Sequence, residues 1–439
     1  MKTARILSLT VALFIGALAI AARVAPTSTP KEGAIRVLFL GHESEHHNSN
    51  KFYPMLAKGL GRDAIYFDYV TNVEEALGDA AYLSKFDAVL LYANHGTITP
   101  GQWGNLKGYV ENGGGFVPVH CASWCFGNEP GFDQLVGGRF DSHKTGTFTA
   151  KVVDAKHPAM AGVEEFEAWD ETYKHKNHNE KDRTVLMVRE MAGKDDNITE
   201  PEPWTWVRTQ GKGRVFYTAS GHDERVWKQP AFHQLLKAGI LWSVGDARQQ
   251  SYDKFIADRA PLKYEKRDNI ANYEKRPEPL PYQFPLSAKD SMDYTQAPVG
   301  FRLELFASEP DIINPIGLAW DERGRLWVAE TVDYPNEMTP DRVGNDKIKI
   351  LEDTNGDGKC DKVTVFAEGL NIPTSLTFSR GGIIVAHVPD CLFLKDTEGD
   401  DKADVREVLT TGWGIGDTHA GPSNLRYGFD NWIWGTVGY

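Results

Sequence analysis

The sequence predicts two folded parts of different class: an α/β domain on a parallel sheet over residues 34–245, and an all-β partial β-propeller over residues 298–439. Three observations carry this reading. In the first part, short apolar runs alternate with segments of helical period, the pattern of a parallel sheet with crossover helices. In the second part, "NPIGLAWDERGRLWVAE" recurs loosely as "IPTSLTFSRGGIIVAHV" and as "GPSNLRYGFDNWIWGTVG". A strand–turn–strand unit repeated at that spacing suits propeller blades. Between the two, residues 246–297 contain "YEKRDNIANYEKRPEPLPYQFP", charged and proline-rich without an apolar period, which predicts a linker.

Each element of the first part follows from local pattern. "IRVLFL" is a buried strand, and Phe52, Met55, Leu56 and Leu60 after it share a helical face. "AIYFDYV" and "DAVLLYA" are the next strands. Trp103, Leu106 and Val110 mark a helix between Gly101 and Asn112. "GGGFVPVH" and "GRVFYTAS" are later strands, and "AFHQLLKAGILWSV" is a closing helix. In the second part, Leu318, Leu376 and Leu425 occupy equivalent places in successive repeats. Blades of roughly 45 residues allow about three, fewer than the four to eight of a closed propeller. The expectation is therefore a truncated product whose continuation, supplying the missing blades, is a partner of this chain.

Composition excludes some functions. A net charge of −13 with no basic stripe argues against a nucleic-acid partner. Lys2 and Arg5 precede an apolar run, Ile6 to Ala22, with the small-x-small pattern Ala19-Ile20-Ala21. Residues 1–25 thus read as a signal peptide, and the chain as exported, periplasmic or extracellular. Contact with a membrane is expected only through this segment, where it stays uncleaved. Cys121, Cys125, Cys360 and Cys391 are too few for a disulfide framework, although export leaves a Cys360–Cys391 bridge open. No C-x-x-C-H haem motif is present.

The chemistry gathers where strands end, because a parallel sheet binds ligands at its carboxyl edge. Of 13 histidines, 11 precede residue 245. His42, His46 and His47 follow the first strand, His95 a later one, His120 and Cys121 the next, and His222 with Glu224 the last. Several chemistries fit. "HESEH" has the H-E-x-x-H spacing of a zinc protease but follows a strand rather than lying on a helix. Another metal held by these histidines is open. Cys121, His222 and Glu224 occur in the order of an amidotransferase-like nucleophile, base and acid, yet Val119 and Ser123 stand where a tight nucleophile turn has glycines. A sugar-binding or scaffold module without catalysis is the alternative from another class, with Trp124, Trp169 and Trp204 as stacking platforms.

Residues 35 to 245 resemble the trehalose-utilisation (ThuA-like) family through "GGGFVPVHCAS", "LVGGRFDSH", "DAKHPAMAGVEEFEAWDETY", "GKGRVFYTASGHDE" and "FHQLLKAGILWSVG". The resemblance implies a flavodoxin-like, class I glutamine-amidotransferase-like fold and a role in disaccharide or keto-sugar metabolism. It carries functional positions onto His120, His143, His157, Glu171, Tyr173, Arg214 and His222. A small residue commonly follows the strand-end histidine in the family, which favours His120 over Cys121. The reading is proton transfer on a small carbohydrate by His120, His222 and Glu171, with His46, His95, Tyr173, Arg214 and Trp124 binding substrate. His157, before Pro158, reads as structural.

The repeats carry two acidic loops. "DTNGDGKCD" places Asp353, Asn355, Asp357 and Asp361 at the oxygen-ligand spacing of a calcium loop around Gly358. "DTEGDDKAD" repeats it with Asp396, Glu398, Asp400 and Asp404. Through "GFRLELFASEPDIINPIGLAWDERGRLWVAE" and "DTHAGPSNLRYGFDNWIWGTVGY" this part resembles the propeller of large exported dehydrogenase-like proteins. It is also distantly similar to soluble quinoprotein sugar dehydrogenases, which places a catalytic base at His419 and a quinone-dependent dehydrogenase fragment among the alternatives.

Overall fold

The computed structural model describes residues 33–438 apart from 192–195, 271, 273–274, 337–338 and 340. The expected signal peptide lies outside these residues. The chain divides into two compact units, one running to Phe284 and including Asp293–Phe301, the other comprising Pro285–Met292 and the chain from Arg302 onward.

Among the described residues up to 218, the first unit contains twelve strands: β1 (Ile35–Leu40), β2 (Ile65–Val70), β3 (Ala88–Leu91), β4 (Gly115–Pro118), β5 (Arg139–Ser142), β6 (Thr145–Thr149), β7 (Lys151–Val152), β8 (Glu167–Glu171), β9 (Lys174–Lys176), β10 (Arg183–Arg189), β11 (Glu202–Gln210) and β12 (Gly213–Thr218). Eight of them form one sheet in the order β2-β1-β3-β4-β12-β11-β10-β7. The first five run parallel, and β11, β10 and β7 extend the edge antiparallel. β5 pairs with β9 and β6 with β8 in separate two-stranded ladders. The parallel strands are buried over nearly their whole length, which is why they read as continuous apolar runs. Their side chains Phe39, Leu90, Val117 and Phe216 share a core with Leu235, Leu236 and Ile240 of the helix Pro230–Ser243. The helix Pro100–Glu111 begins at a capping box in which Thr99 and Gln102 satisfy each other's backbone N–H, with Pro100 in the first turn.

The segment read as a linker starts with a helix, Asp246–Asp258, that packs on the first unit. Arg248 pairs with Asp87 at 3.0 Å, and the Tyr252 hydroxyl donates to the Asp63 carbonyl at 2.6 Å. Only Tyr252, Phe255 and Ile256 give this helix an apolar stripe, and the charges around them hide it. Further on, Arg36 donates to the Ala297 carbonyl and the Val299 N–H to Asp68, so residues near 297 also belong here.

The second unit is mostly antiparallel β-sheet. One four-stranded sheet comprises Pro315–Trp320, Leu326–Glu330, Asp346–Glu352 and Lys362–Leu370. A second comprises Pro373–Ser379, Gly382–His387, Asp390–Lys395 and Val405–Thr411. Each copy of the repeat supplies the first hairpin of its sheet, and the third copy forms the pair Ser423–Tyr427 and Ile433–Thr436. Trp327, Ile348, Ile350 and Phe366 of the first sheet and Leu376, Ile383, Val385 and Leu392 of the second share one core. The four cysteines are free, so the Cys360–Cys391 bridge does not form; Cys360 sits in a loop of the first sheet and Cys391 on a strand of the second.

Candidate functional site

Four parallel strands deliver their carboxyl ends to one place. β1 leads into His42–His47, β3 into Asn94 and His95, β4 into His120, and β12 into Gly221 and His222. The fifth contribution, Glu171, comes from the end of β8. Four imidazole nitrogens surround its carboxylate: His120 Nε2 at 3.2 Å and His47 Nε2 at 3.6 Å from Oε2, His222 Nδ1 at 3.2 Å and His143 Nε2 at 3.6 Å from Oε1. Ligand atoms of His47, His120, Glu171 and His222 lie within 4.8 Å of one another, the one such group of His, Cys, Asp or Glu among the described residues. His120 is wholly buried, His47 and Glu171 nearly so, and His222 is 17% exposed. His143 and His46 stand at the solvent side, His46 with its ring 4.0 Å from that of His47.

The backbone is bent to make this cluster. His120 has φ of 51° and His47 of 54°, left-handed values that cost a residue with a Cβ roughly 1–2 kcal/mol each. His120 thus occupies the apex of a strand-to-turn bend at the start of the turn His120–Trp124. Gly221, at φ of 134°, precedes His222, and a Cβ on it would meet the Cβ of His120 at 3.3 Å. The Asp170 carboxylate pins the same corner by accepting N–H bonds from Gly221, His222 and Glu171 at 2.9, 3.0 and 2.9 Å.

Surrounding groups fix the ring orientations. His47 Nδ1–H donates to Asn94 Oδ1 at 2.8 Å, and His120 Nδ1–H to the Ala219 carbonyl at 2.6 Å. His42 holds the loop: its Nε2–H donates to the His47 carbonyl and its Nδ1 accepts the Asn94 N–H. Tyr173 stacks on His120 with centroids 4.2 Å apart. Burial pushes His120 down to about 4 despite Glu171 beside it, so it is neutral near pH 7. Burial also works against the Glu171 carboxylate, but His120, His222 and His47 outweigh it and hold the carboxyl well below its ordinary range. The same carboxylate outweighs burial at His222 and raises it.

Several expected site residues stand elsewhere. Cys121 is fully buried, and burial raises its thiol well above its ordinary value, so it holds no reactive thiolate. Glu224 pairs with Lys51 and Lys228 and does not back His222; Glu171 does. The Cys121–His222–Glu224 arrangement therefore does not form. Arg214 opens β12 at the opposite, amino edge of the sheet, bound to Asp246 and the Trp242 carbonyl, and touches no part of the cluster. Trp204 is fully buried with its indole N–H on Ser220, out of reach of a sugar face. His95 is half-buried, with its Nε2–H on the Gly41 carbonyl and its ring stacked on Phe126. His157 caps the turn at Pro158 through Nδ1. Trp124 is exposed, and Trp169 lies 5.7 Å from His222 with the Arg225 guanidinium over its ring at 3.5 Å.

His47 was not singled out as a site residue. Its neighbour His46 carries the same residue type, and the φ of 54° together with the bond to Asn94 turns the second imidazole inward. In the second unit, His419 is exposed and bound to Asp417, with its ring 5.2 Å from Tyr334. The Asp353 carboxylate accepts N–H bonds from Gly356, Asp357 and Gly358, and Asp361 accepts from Thr354. Asp396 and Asp404 repeat these contacts in the second acidic loop.

In doubly wound domains the carboxyl edge of the parallel strands is where small molecules bind, and here that edge collects imidazoles and a carboxylate. Residues 36–243 match the family described as trehalose utilisation (ThuA), and this unit is a ThuA-like domain. Residues 287–439 match a domain of unknown function, DUF7133. No curated protein matches the chain. Among solved structures, the chain is similar to a putative ThuA-like protein from Bacteroides uniformis at 21% identity, covering 50% of this chain and 95% of that one, with a TM-score of 0.41. It is likewise similar to one from Parabacteroides merdae at 20% identity, covering 48% and 90%, with a TM-score of 0.43.

Proposed function

We propose that the ThuA-like unit is the sugar-processing domain of an exported enzyme of carbohydrate metabolism, acting by proton transfer on a disaccharide or keto-sugar. The family's link to trehalose utilisation supplies the substrate class. The observation that carries the chemistry is the ring of imidazoles around Glu171, two of them on left-handed backbone. His120 is buried and cannot touch a sugar, so it acts on Glu171. His222, His143 and His46 have solvent access and exchange protons with the substrate. Glu171, ionised, holds the charge behind them, and the exposed Trp124 offers a face for the sugar ring.

The sheets of the second unit are read as blades of a β-propeller, because each four-stranded unit opens with the same repeat and the two share a core. Calcium in the two acidic loops is proposed on ligand spacing alone.

The test is incubation of the purified chain with trehalose and with its keto derivative, followed by chromatography and mass spectrometry. Turnover that falls about a hundredfold or more in His222→Gln is expected. Saturable sugar binding with no turnover would instead make the unit a carbohydrate-binding module.

A further inference from the structure

We propose that His47, His120, His222 and Glu171 hold one divalent transition-metal ion of the zinc type. This deepens the functional reading above and rests on it for the place of reaction, while the metal site itself stands on the geometry of the cluster.

The argument is a count of protons. The Ala219 carbonyl can only accept, so His120 must spend its ring proton on Nδ1. His47 does the same toward Asn94 Oδ1. Each neutral ring then presents a lone pair on Nε2, and both lone pairs face Glu171 Oε2, at 3.2 and 3.6 Å. Such lone pairs stabilise an ionised Glu171 only if a positive centre stands between them and its carboxylate. His47 Nε2 and His222 Nδ1 are buried atoms with no hydrogen-bond partner. His222 Nδ1 is 3.2 Å from Glu171 Oε1 but lacks the angle of a hydrogen bond. One cation at the centre satisfies every one of these atoms together.

The dimensions fit. Ligands about 2.1 Å from a shared ion are separated by at most roughly 4.2 Å. In a tetrahedral set the separation is about 3.4 Å; the atoms here lie within 4.8 Å of one another, so closure draws the most distant pair together by about 1 Å, shared between two side chains. Three imidazoles and one carboxylate are the donor set of zinc-like ions rather than of calcium or magnesium. The outer contacts are those that orient metal-binding imidazoles: an amide oxygen on His47, a carbonyl on His120, and Asp170 on the backbone of His222. The solvent side, where His46 and His143 stand, is left for a substrate oxygen. With the ion bound, His222 is a ligand, and His46 and His143 are the remaining proton carriers.

The experiment is metal binding by the full chain, with turnover measured separately. Chain stripped by chelator dialysis is titrated with Zn²⁺ by calorimetry, its metal content is measured by mass spectrometry, and Co²⁺ loading is followed by visible absorption. One equivalent of Zn²⁺ per chain is expected, weakened about a hundredfold or more in Glu171→Gln and His222→Gln and unchanged in His157→Ala. Asn94→Ala, which leaves all four ligands in place, should weaken binding roughly tenfold to a hundredfold. Absence of a one-equivalent site, or wild-type affinity in both Glu171→Gln and His222→Gln, overturns the proposal. Sugar turnover by protein shown to be metal-free overturns it too and leaves the functional reading intact. Stoichiometric Zn²⁺ with no turnover of any sugar supports the metal site and counts against the functional reading alone.

Discussion

Replacing Tyr217 with phenylalanine tests whether the bend at His120 is held by a buried polar network. Tyr217 is fully buried on β12. Its hydroxyl lies 2.9 Å from His175 Nε2, 3.0 Å from Ser123 Oγ and 3.1 Å from the His120 carbonyl. His175 in turn is tied to Glu202 through Nδ1 at 2.9 Å. Removing the hydroxyl costs about 1 kcal/mol for each of up to two hydrogen bonds lost, and leaving a buried partner such as His175 Nε2 unpaired costs about 1–3 more. The sum is about 2–5 kcal/mol. At roughly 2–4 °C per kcal/mol for a domain of this size, Tyr217→Phe should lower the melting temperature of the ThuA-like unit by on the order of 10 °C. Scanning calorimetry on the full chain reads this directly. Tyr53→Phe is the comparison, since the half-buried Tyr53 has one long contact of 3.4 Å to the Phe67 carbonyl; its cost should stay near or below about 1 kcal/mol. A shift for Tyr217→Phe no larger than that of Tyr53→Phe would refute the idea that this network supports the bend.

Three further outcomes are expected. Burial pushes Asp170 up to about 7 from 3.8, so the folded state holds that proton more tightly than the unfolded chain; the resulting stability is complete below about pH 4 and is lost as pH rises through 7. Asp170→Asn cannot titrate, so the gap in urea midpoint between wild type and variant should narrow from pH 5 to pH 8, and parallel profiles would contradict the assignment. Cys121→Ala should leave sugar turnover within about tenfold, and native protein should resist iodoacetamide at Cys121 because the buried thiol is not ionised; rapid labelling at that residue with loss of turnover would reverse this. Glu171→Gln keeps the side-chain shape and can donate to the lone pairs of His120 and His47, so it should abolish turnover while leaving the melting temperature within a few degrees, and a collapse of the fold would show that the carboxylate is structural.

The parallel sheet was legible because burial on both faces leaves a single consequence in sequence, an unbroken apolar run such as "IRVLFL" or the stretch before His120. The strands between 139 and 210 were not. β5, β6, β8 and β9 pair in short ladders with alternating or exposed positions, so residues such as Thr145–Thr149 carry no run to detect. The helix Asp246–Asp258 escaped for a related reason, since three apolar residues among many charges do not stand out from a linker.

At the site, strand-end position alone located His120 and His222, because the end of a parallel strand is set by the core pattern on either side of it. Glu171 was reachable only through the family resemblance: it ends an antiparallel strand inserted between the elements of the main sheet, and nothing in its spacing from His120 signals contact across 51 residues. The amidotransferase-like alternative placed Glu224 behind His222 because that carboxylate is only two residues away in sequence. In the fold, that carboxylate starts the helix Glu224–Trp227 and turns to Lys51 and Lys228, while Asp170 and Glu171 approach from β8. The difference between His46 and His47 is finer still. Both are imidazoles in one loop, and which of them faces inward is decided by one left-handed backbone angle and by Asn94, 47 residues away, accepting its proton. A cluster of this kind is specified by long-range hydrogen bonds that fix ring orientation, and a sequence pattern records the residue types without recording which way their protons point.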